Sequence, residues 1–241
     1  MSQMVNFICK ICLVCDMIEK KMEKSGAVEK ICYVIGACEP GEIVIDGEAL
    51  VIAADGGLRF LEEYGIKPDL TVGDFDSLGH VPRGENIICH PVEKDDTDTL
   101  LAVKLGLERG CGVFVLYGCL GGRIDHTFAN LQTLLFIAKQ GARGYLIGDG
   151  WVSCVIRDSS LQFPAGLSGT VSVFCPDGEA AGITLEGLYY PLTNGTLNSS
   201  FPLGVSNHFT GECASVSVKN GALLVMWEEP AAELVKSVSA R

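Results

Sequence analysis

LVIAADGGLRFLEEYG, residues 50–65, reads as a buried strand, a turn and a helix in immediate succession. The five residues before Asp55 are apolar without alternation, as expected of a strand covered on both faces. Asp55-Gly56-Gly57 is turn chemistry, and residues 58–64 have helical spacing that stops at Gly65. Working outward, the same unit recurs. Residues 31–35 form an apolar run ended by Gly36, Leu70-Thr71-Val72 leads to Gly73, and residues 86–89 give a fourth strand. Residues 97–109 predict a helix closed by Gly110, 113–117 a strand, 126–140 a long helix ended by Gly141, and 144–147 another strand. Apolar strands alternating with helices predict an α/β domain with a mostly parallel sheet covered on both faces.

Past Trp151 the texture changes. Short strand-like runs at 152–156, 169–174, 182–185, 214–219 and 222–228 are separated by Gly, Pro, Asn and Ser. They predict an all-β sandwich or barrel. The chain is therefore divided into an N-terminal extension (1–29), an α/β domain (30–150) and a β domain (151–241), with Trp151 as a core residue at the join. The glycine-rich stretch 148–151 there has no ready reading.

A chain of 241 residues accommodates one or two domains. Eighteen basic against thirty acidic residues leave a net charge of −12. Such a surface repels phosphate backbones, which excludes nucleic acid and anionic membranes as partners. Phosphates, if handled, would be handled locally, through a metal. Of eleven cysteines, Cys32, Cys89, Cys111, Cys119, Cys154 and Cys175 sit singly in apolar runs, where free cysteine acts as a small hydrophobe. The odd count predicts a reducing, cytoplasmic compartment. In the first 29 residues an apolar stretch is broken by Lys10 and Asp16, which suits neither a signal peptide nor a membrane span. Cys9, Cys12 and Cys15 lack a fourth ligand, so this segment is expected to be a short amphipathic extension, or absent if synthesis starts at Met17 or Met22.

The aspartates fall where strands end. Asp55, Asp74 and Asp76, the Asp95-Asp96-Thr97-Asp98 run and Asp125 each lie at a strand-to-loop junction or a helix start. Ligands of an open α/β sheet collect at the carboxyl ends of its strands. Carboxylates gathered there suit Mg²⁺, and alternate residues of an extended Asp74-Phe75-Asp76 face one way. Individually, Asp98 or Asp125 could simply cap its helix. Gly121-Gly122-Arg123 before a helix offers amides and a guanidinium to phosphate. No P-loop or dinucleotide fingerprint is present, and His80, His90, His126 and His208 lack ligand spacing.

Ala54-Asp55-Gly56-Gly57, Gly73-Asp74-Phe75-Asp76-Ser77, Lys94-Asp95-Asp96-Thr97-Asp98 and Gly121-Gly122-Arg123-Ile124-Asp125-His126 occur in the order and spacing of thiamine pyrophosphokinases. Gly187-Leu188-Tyr189-Tyr190-Pro191-Leu192 and Leu203-Gly204-Val205-Ser206-Asn207 resemble that family too. The resemblance spans roughly residues 30–230. It implies a homodimer whose α/β domain binds ATP and whose β-sandwich domain binds thiamine, transferring pyrophosphate to the thiamine hydroxyl and releasing AMP. It implies Asp55, Asp74, Asp76 and Asp98 as Mg²⁺ ligands, the last three at the reacting centre. Lys94, Asp95, Gly121, Gly122, Arg123 and Asp125 would surround the nucleotide, and Tyr190, Ser206 and Asn207 would meet thiamine. The competing expectations are a kinase or pyrophosphokinase for another small alcohol, and a non-catalytic sensor of Mg·nucleotide.

Overall fold

A computed structural model describes residues 29–45, 48–73, 86–89 and 96–228. Asp74, Asp76, Lys94, Asp95, His80, His90 and the segment carrying Cys9, Cys12 and Cys15 lie outside the described residues. Glu29–Val155 forms one compact unit, and the chain from Ile156 onward forms a second.

The first unit runs β1 (Lys30–Ile35), β2 (Leu50–Ala54), α1 (Gly57–Glu63), β3 (Leu70–Gly73), β4 (Ile87–Cys89), α2 (Asp98–Glu108), β5 (Cys111–Tyr117), α3 (Ile124–Lys139) and β6 (Arg143–Gly148). β7 (Trp151–Arg157) then crosses the division. The strands lie in the order β7-β6-β5-β1-β2-β3-β4. All pairs from β6 to β4 are parallel, and β7 alone runs antiparallel, against β6. The sheet is thus mixed.

Every residue of β2 and all but one of β5 are buried, which accounts for their unbroken apolar runs. Phe114 of β5 and Gly144 of β6 are register partners and so share a face. The Phe114 ring packs on Gly106 of α2, and Gly144 packs on Leu134 and Ile137 of α3. Hence α2 and α3 cover the same face. The connection through α1 runs the other way along the sheet, and right-handed crossovers put it on the opposite face. Gly57, opening α1, has no room for a side chain: a Cβ there would lie 1.9 Å from the Ile35 carbonyl oxygen. The glycine is what lets α1 start against the end of the central strand.

The chain joins β6 to β7 through Asp149 and Gly150, both at positive φ (+52° and +74°), with Gly148 paired to Trp151. Residues 148–151 are therefore a two-residue hairpin of the Asp-Gly kind, whose left-handed residues match the twist of the strands. Trp151 is only half-buried there.

The second unit holds β8 (Ser160–Phe163), β9 (Thr170–Phe174), β10 (Glu179–Glu186), β11 (Leu192–Asn198), β12 (Asn207–His208), β13 (Ala214–Ser217) and β14 (Ala222–Glu228). One antiparallel sheet has the order β11-β10-β13-β8, and β12, β9 and β14 pair antiparallel in that order. The Phe163 ring of β8 meets Trp227 of β14 edge-on at 5.3 Å and Phe209 at 5.0 Å. Trp227 is fully buried, and burial of an aromatic of this size is among the larger single contributions to a core. Among the described residues no helix is long and apolar enough to cross a membrane.

Candidate functional site

Because β1 to β6 are parallel, their carboxyl ends form one rim. The order of strands reverses beside β1: the chain leaves β1 toward β2, whereas it leaves β5 toward β6. A crevice opens at such a switch point. Its floor is tied together by backbone bonds, Gly36 N–H to the Tyr117 carbonyl (2.8 Å) and Cys38 N–H to the Gly118 carbonyl (2.9 Å).

Asp55 stands directly at the end of β2 with φ +48°, a left-handed conformation that Asp tolerates better than most residues. Its N–H donates to the Val72 carbonyl (2.7 Å), and its Cα is 3.1 Å from where a Cβ of Gly73 would lie. The ends of β2 and β3 are therefore adjacent. Asp98 opens α2, but the cap of that helix is Thr97, whose hydroxyl accepts from the Leu100 N–H (3.2 Å). Next to it, Thr99 Oγ1 contacts Cys119 Sγ at 3.9 Å, which seats the start of α2 over the end of β5. Asp96 pairs with Lys104 at 2.6 Å. Burial pushes the Cys119 thiol up to about 12, so it stays protonated and is no nucleophile at neutral pH.

The loop from β5 into α3 passes through Gly121 (φ +83°) and Gly122 (φ +61°). Two successive left-handed residues suit glycine, and they curl the backbone into a turn whose amides can converge on an anion. The next residue, Arg123, is the N-cap of α3 and makes no side-chain cap, so the positive end of a sixteen-residue helix faces the turn. Sequence reasoning assigned Arg123 and Asp125 to a nucleotide. Here they hold each other, Nε to Oδ1 at 3.1 Å and Nη2 to Oδ2 at 2.6 Å, with side chains 71% and 62% exposed. The guanidinium holds the Asp125 carboxyl below its ordinary range, and the carboxylate raises the guanidinium in turn. Both stay charged at neutral pH, but an exposed pair of this kind adds little stability. A phosphate approaching Arg123 would compete with Asp125 for the same fork.

Asp149 escaped the sequence reading. Its Oδ2 lies 3.1 Å from where a Cβ of Gly121 would be, so a further carboxylate borders the turn. Its position at the end of β6 was the available signal. Among the described residues no three His, Cys, Asp or Glu side chains converge closely enough to hold an ion. Of the four expected metal ligands, Asp55 and Asp98 are placed on the rim, and Asp74 and Asp76 lie outside the described residues.

In the second unit Asn207, with Ser206 just before it, is brought against Tyr190 across β11 and the loop that follows. Tyr190 is exposed and packs edge-on against Tyr189 at 4.9 Å. Asn207 is buried, and its amide is engaged with backbone: Oδ1 accepts from the Tyr190 N–H (2.9 Å) and the His208 N–H (2.9 Å), while Nδ2 donates to the Tyr190 carbonyl (2.8 Å). Ser206 is exposed at φ +59°, and its N–H donates to Ser172 Oγ (3.0 Å). The geometry makes Asn207 a clamp on the backbone of Tyr190, leaving Tyr190 and Ser206 as the groups that face solvent.

Comparison with known proteins matches two family models: "Thiamin pyrophosphokinase, catalytic domain" over residues 42–146 and "Thiamin pyrophosphokinase, vitamin B1 binding domain" over residues 159–223. A thiamine pyrophosphokinase of Bacillus subtilis is 28% identical over 188 residues, which is 75% of this chain and 88% of that protein. Among solved structures, a thiamin pyrophosphokinase from Geobacillus thermodenitrificans superimposes with TM-score 0.70 at 26% identity, over 83% of this chain and 98% of that one. The Bacillus subtilis structure does so with TM-score 0.73 at 24% identity, over 84% and 100%, a likeness of fold.

Proposed function

This chain belongs to the thiamine pyrophosphokinase family and is a thiamine diphosphokinase, and we propose that it forms thiamine diphosphate by moving the terminal pyrophosphate of ATP onto the thiamine hydroxyl. The observation that carries the ATP reading is the Gly121-Gly122 turn. Two left-handed glycines lead into an N-terminus without a side-chain cap, at the switch point of a parallel sheet on whose rim Asp55 and Asp98 also lie.

The turn amides and the start of α3 bind phosphate oxygens. Arg123 adds a guanidinium once a phosphate displaces Asp125, with Lys94 and Asp95 bordering the same nucleotide. Asp149, which borders the turn, would accept from a sugar hydroxyl. Asp55 and Asp98, with Asp74 and Asp76, would supply an all-carboxylate donor set suited to Mg²⁺. When bound there, the ion supplies charge neutralisation for the polyphosphate, which a chain of net charge −12 otherwise lacks. In the transfer, the thiamine hydroxyl oxygen attacks the β-phosphorus. The bond from that phosphorus to the α–β bridging oxygen breaks, AMP leaves, and the hydroxyl proton passes to an aspartate, Asp74 or Asp98. Little covalent work falls to the protein, so positioning supplies most of the rate.

In the second unit Tyr190 and Ser206 meet thiamine, and Asn207 fixes the backbone that carries Tyr190. The reading of this unit as a sandwich is supported by the Phe163–Trp227 contact between its two sets of strands. A homodimer is supported by the exposed Tyr189, Tyr190, Phe201, Leu203 and Val205, more apolar surface than a solitary patch needs. The cytoplasmic location is supported by free thiols at Cys32, Cys38, Cys111, Cys119, Cys154, Cys175 and Cys213.

Calorimetric titration of ATP into the protein tests the ATP and metal reading. Binding is expected in Mg²⁺, to weaken on chelation, and to weaken about tenfold or more in Asp55→Asn. Equal affinity with and without Mg²⁺, unchanged by Asp55→Asn, would remove the rim carboxylates from the site.

A further inference from the structure

We infer that Asn130, buried in the middle of α3, is a positioning residue for the nucleotide, holding the 118–123 turn so that its amides face the phosphates. The inference rests on the reading of that turn as the ATP site. Asparagine is a poor helix former, and a buried side-chain amide is tolerated only where it is bonded. Asn130 is 6% exposed, and its Nδ2 donates to the Cys119 carbonyl at 2.7 Å. One turn earlier on the same helix, Thr127 Oγ1 donates to the Gly121 carbonyl at 3.4 Å. From the loop after β1, Cys38 Sγ donates to that same oxygen at 3.5 Å.

Two carbonyls of the turn are thus drawn toward α3 and the β1 loop. In a trans peptide the N–H points opposite to the carbonyl of the same unit. Pinning the Cys119 carbonyl therefore aims the Leu120 N–H away from α3, and pinning the Gly121 carbonyl does the same for Gly122. Gly121 and Gly122, at φ +83° and +61°, flank the second of these units and would otherwise leave it free to rotate, because glycine has the widest choice of backbone conformations. The bond from Asn130 fixes the unit that leads into them. Asn130 does not touch the phosphates; it fixes which way the turn presents itself.

The test is steady-state kinetics on Asn130→Leu, which keeps the branched four-atom outline and removes the donor, with thermal melts to confirm folding. The KM for ATP is expected to rise about tenfold while the KM for thiamine stays within about twofold, a split that general loosening of the structure would not produce. Thr127→Val, at a less buried position, is expected to raise the ATP KM about threefold and decides the matter if Asn130→Leu does not fold. A folded Asn130→Leu enzyme whose ATP KM is unchanged, or whose two KM values rise together, overturns the inference; so does an unchanged ATP KM in Thr127→Val when the first variant is lost. Arg123→Gln separates this from the underlying reading. If Arg123→Gln raises the ATP KM and Asn130→Leu does not, only the positioning role falls. If neither raises it, the turn is not the ATP site.

Discussion

Replacing Asp98 by asparagine is expected to lower thiamine-dependent turnover by about 10²–10³, with the protein still folded. The usual structural duty of an aspartate at a helix start is to cap, and Thr97 already performs it through its hydroxyl and the Leu100 N–H. Asp98 also places a negative charge in the first turn of α2, an effect worth about 0.3–1 kcal/mol, and asparagine keeps its shape. In the proposed role Asp98 would be one of the carboxylates that hold Mg²⁺ against the polyphosphate, and weakening such a preorganised electrostatic site costs about 2.7–4 kcal/mol of barrier. Turnover and melting temperature therefore have to be measured on the same preparation. A variant with near-normal turnover, or one that loses activity only in proportion to lost folded protein, contradicts the assignment.

The second large effect is structural. Gly57→Ala is expected to cost about 3 kcal/mol or more, because overpacking against rigid neighbours is not relieved by a rotamer change. The new Cβ would sit 1.9 Å from the Ile35 carbonyl oxygen and 2.6 Å from its carbonyl carbon. Both are backbone atoms of the central strand, and neither can swing aside. Either α1 lifts from the sheet or the end of β1 shifts, and the second would disturb the Gly36 and Cys38 bonds that tie the switch point. For a chain of this size the midpoint of thermal unfolding should fall by about 6–12 °C. A loss below about 1 kcal/mol in chemical denaturation would mean that the approach of α1 to β1 is looser than described.

How far the sequence carried depended on burial. In the first unit β1, β2, β3 and β5 are covered on both faces, so each announces itself as an apolar run. In the second, β11 is largely exposed over Leu192–Asn198 and includes Thr193, Asn194, Gly195 and Thr196, with no apolar period to detect. β12 is two residues long, and β8 alternates buried and exposed over only four. None of the three was legible. The Asp149-Gly150 hairpin was present as a dipeptide but was hidden in a glycine-rich stretch at the boundary of two textures. α3 begins at Ile124, before the first residue read as helical, because an exposed isoleucine at a helix start carries no sign of being inside it.

For the candidate site the same physics draws the line. Parallel strands must end at one rim, so a place on that rim could be expected for Asp55 from its position after β2. Side-chain partnerships across space could not. Nothing in the spelling Arg123-Ile124-Asp125 says that the two charges clasp each other, or that the Asn207 amide, 17 residues away, closes on the backbone of Tyr190. Asn130 was invisible for a related reason: in a helix its position looks like one of many, and only the bond to Cys119 distinguishes it.

The proposed function requires the rim carboxylates and the 121–122 turn to handle ATP so that two phosphates are transferred together. The direct measurement is to incubate the purified protein with ATP and thiamine, with and without Mg²⁺, and to identify both products. AMP and thiamine diphosphate in equal amounts, formed only when thiamine and Mg²⁺ are both present, is the expected result. ADP with thiamine monophosphate, or thiamine diphosphate formed at an undiminished rate after Mg²⁺ is chelated, would contradict it.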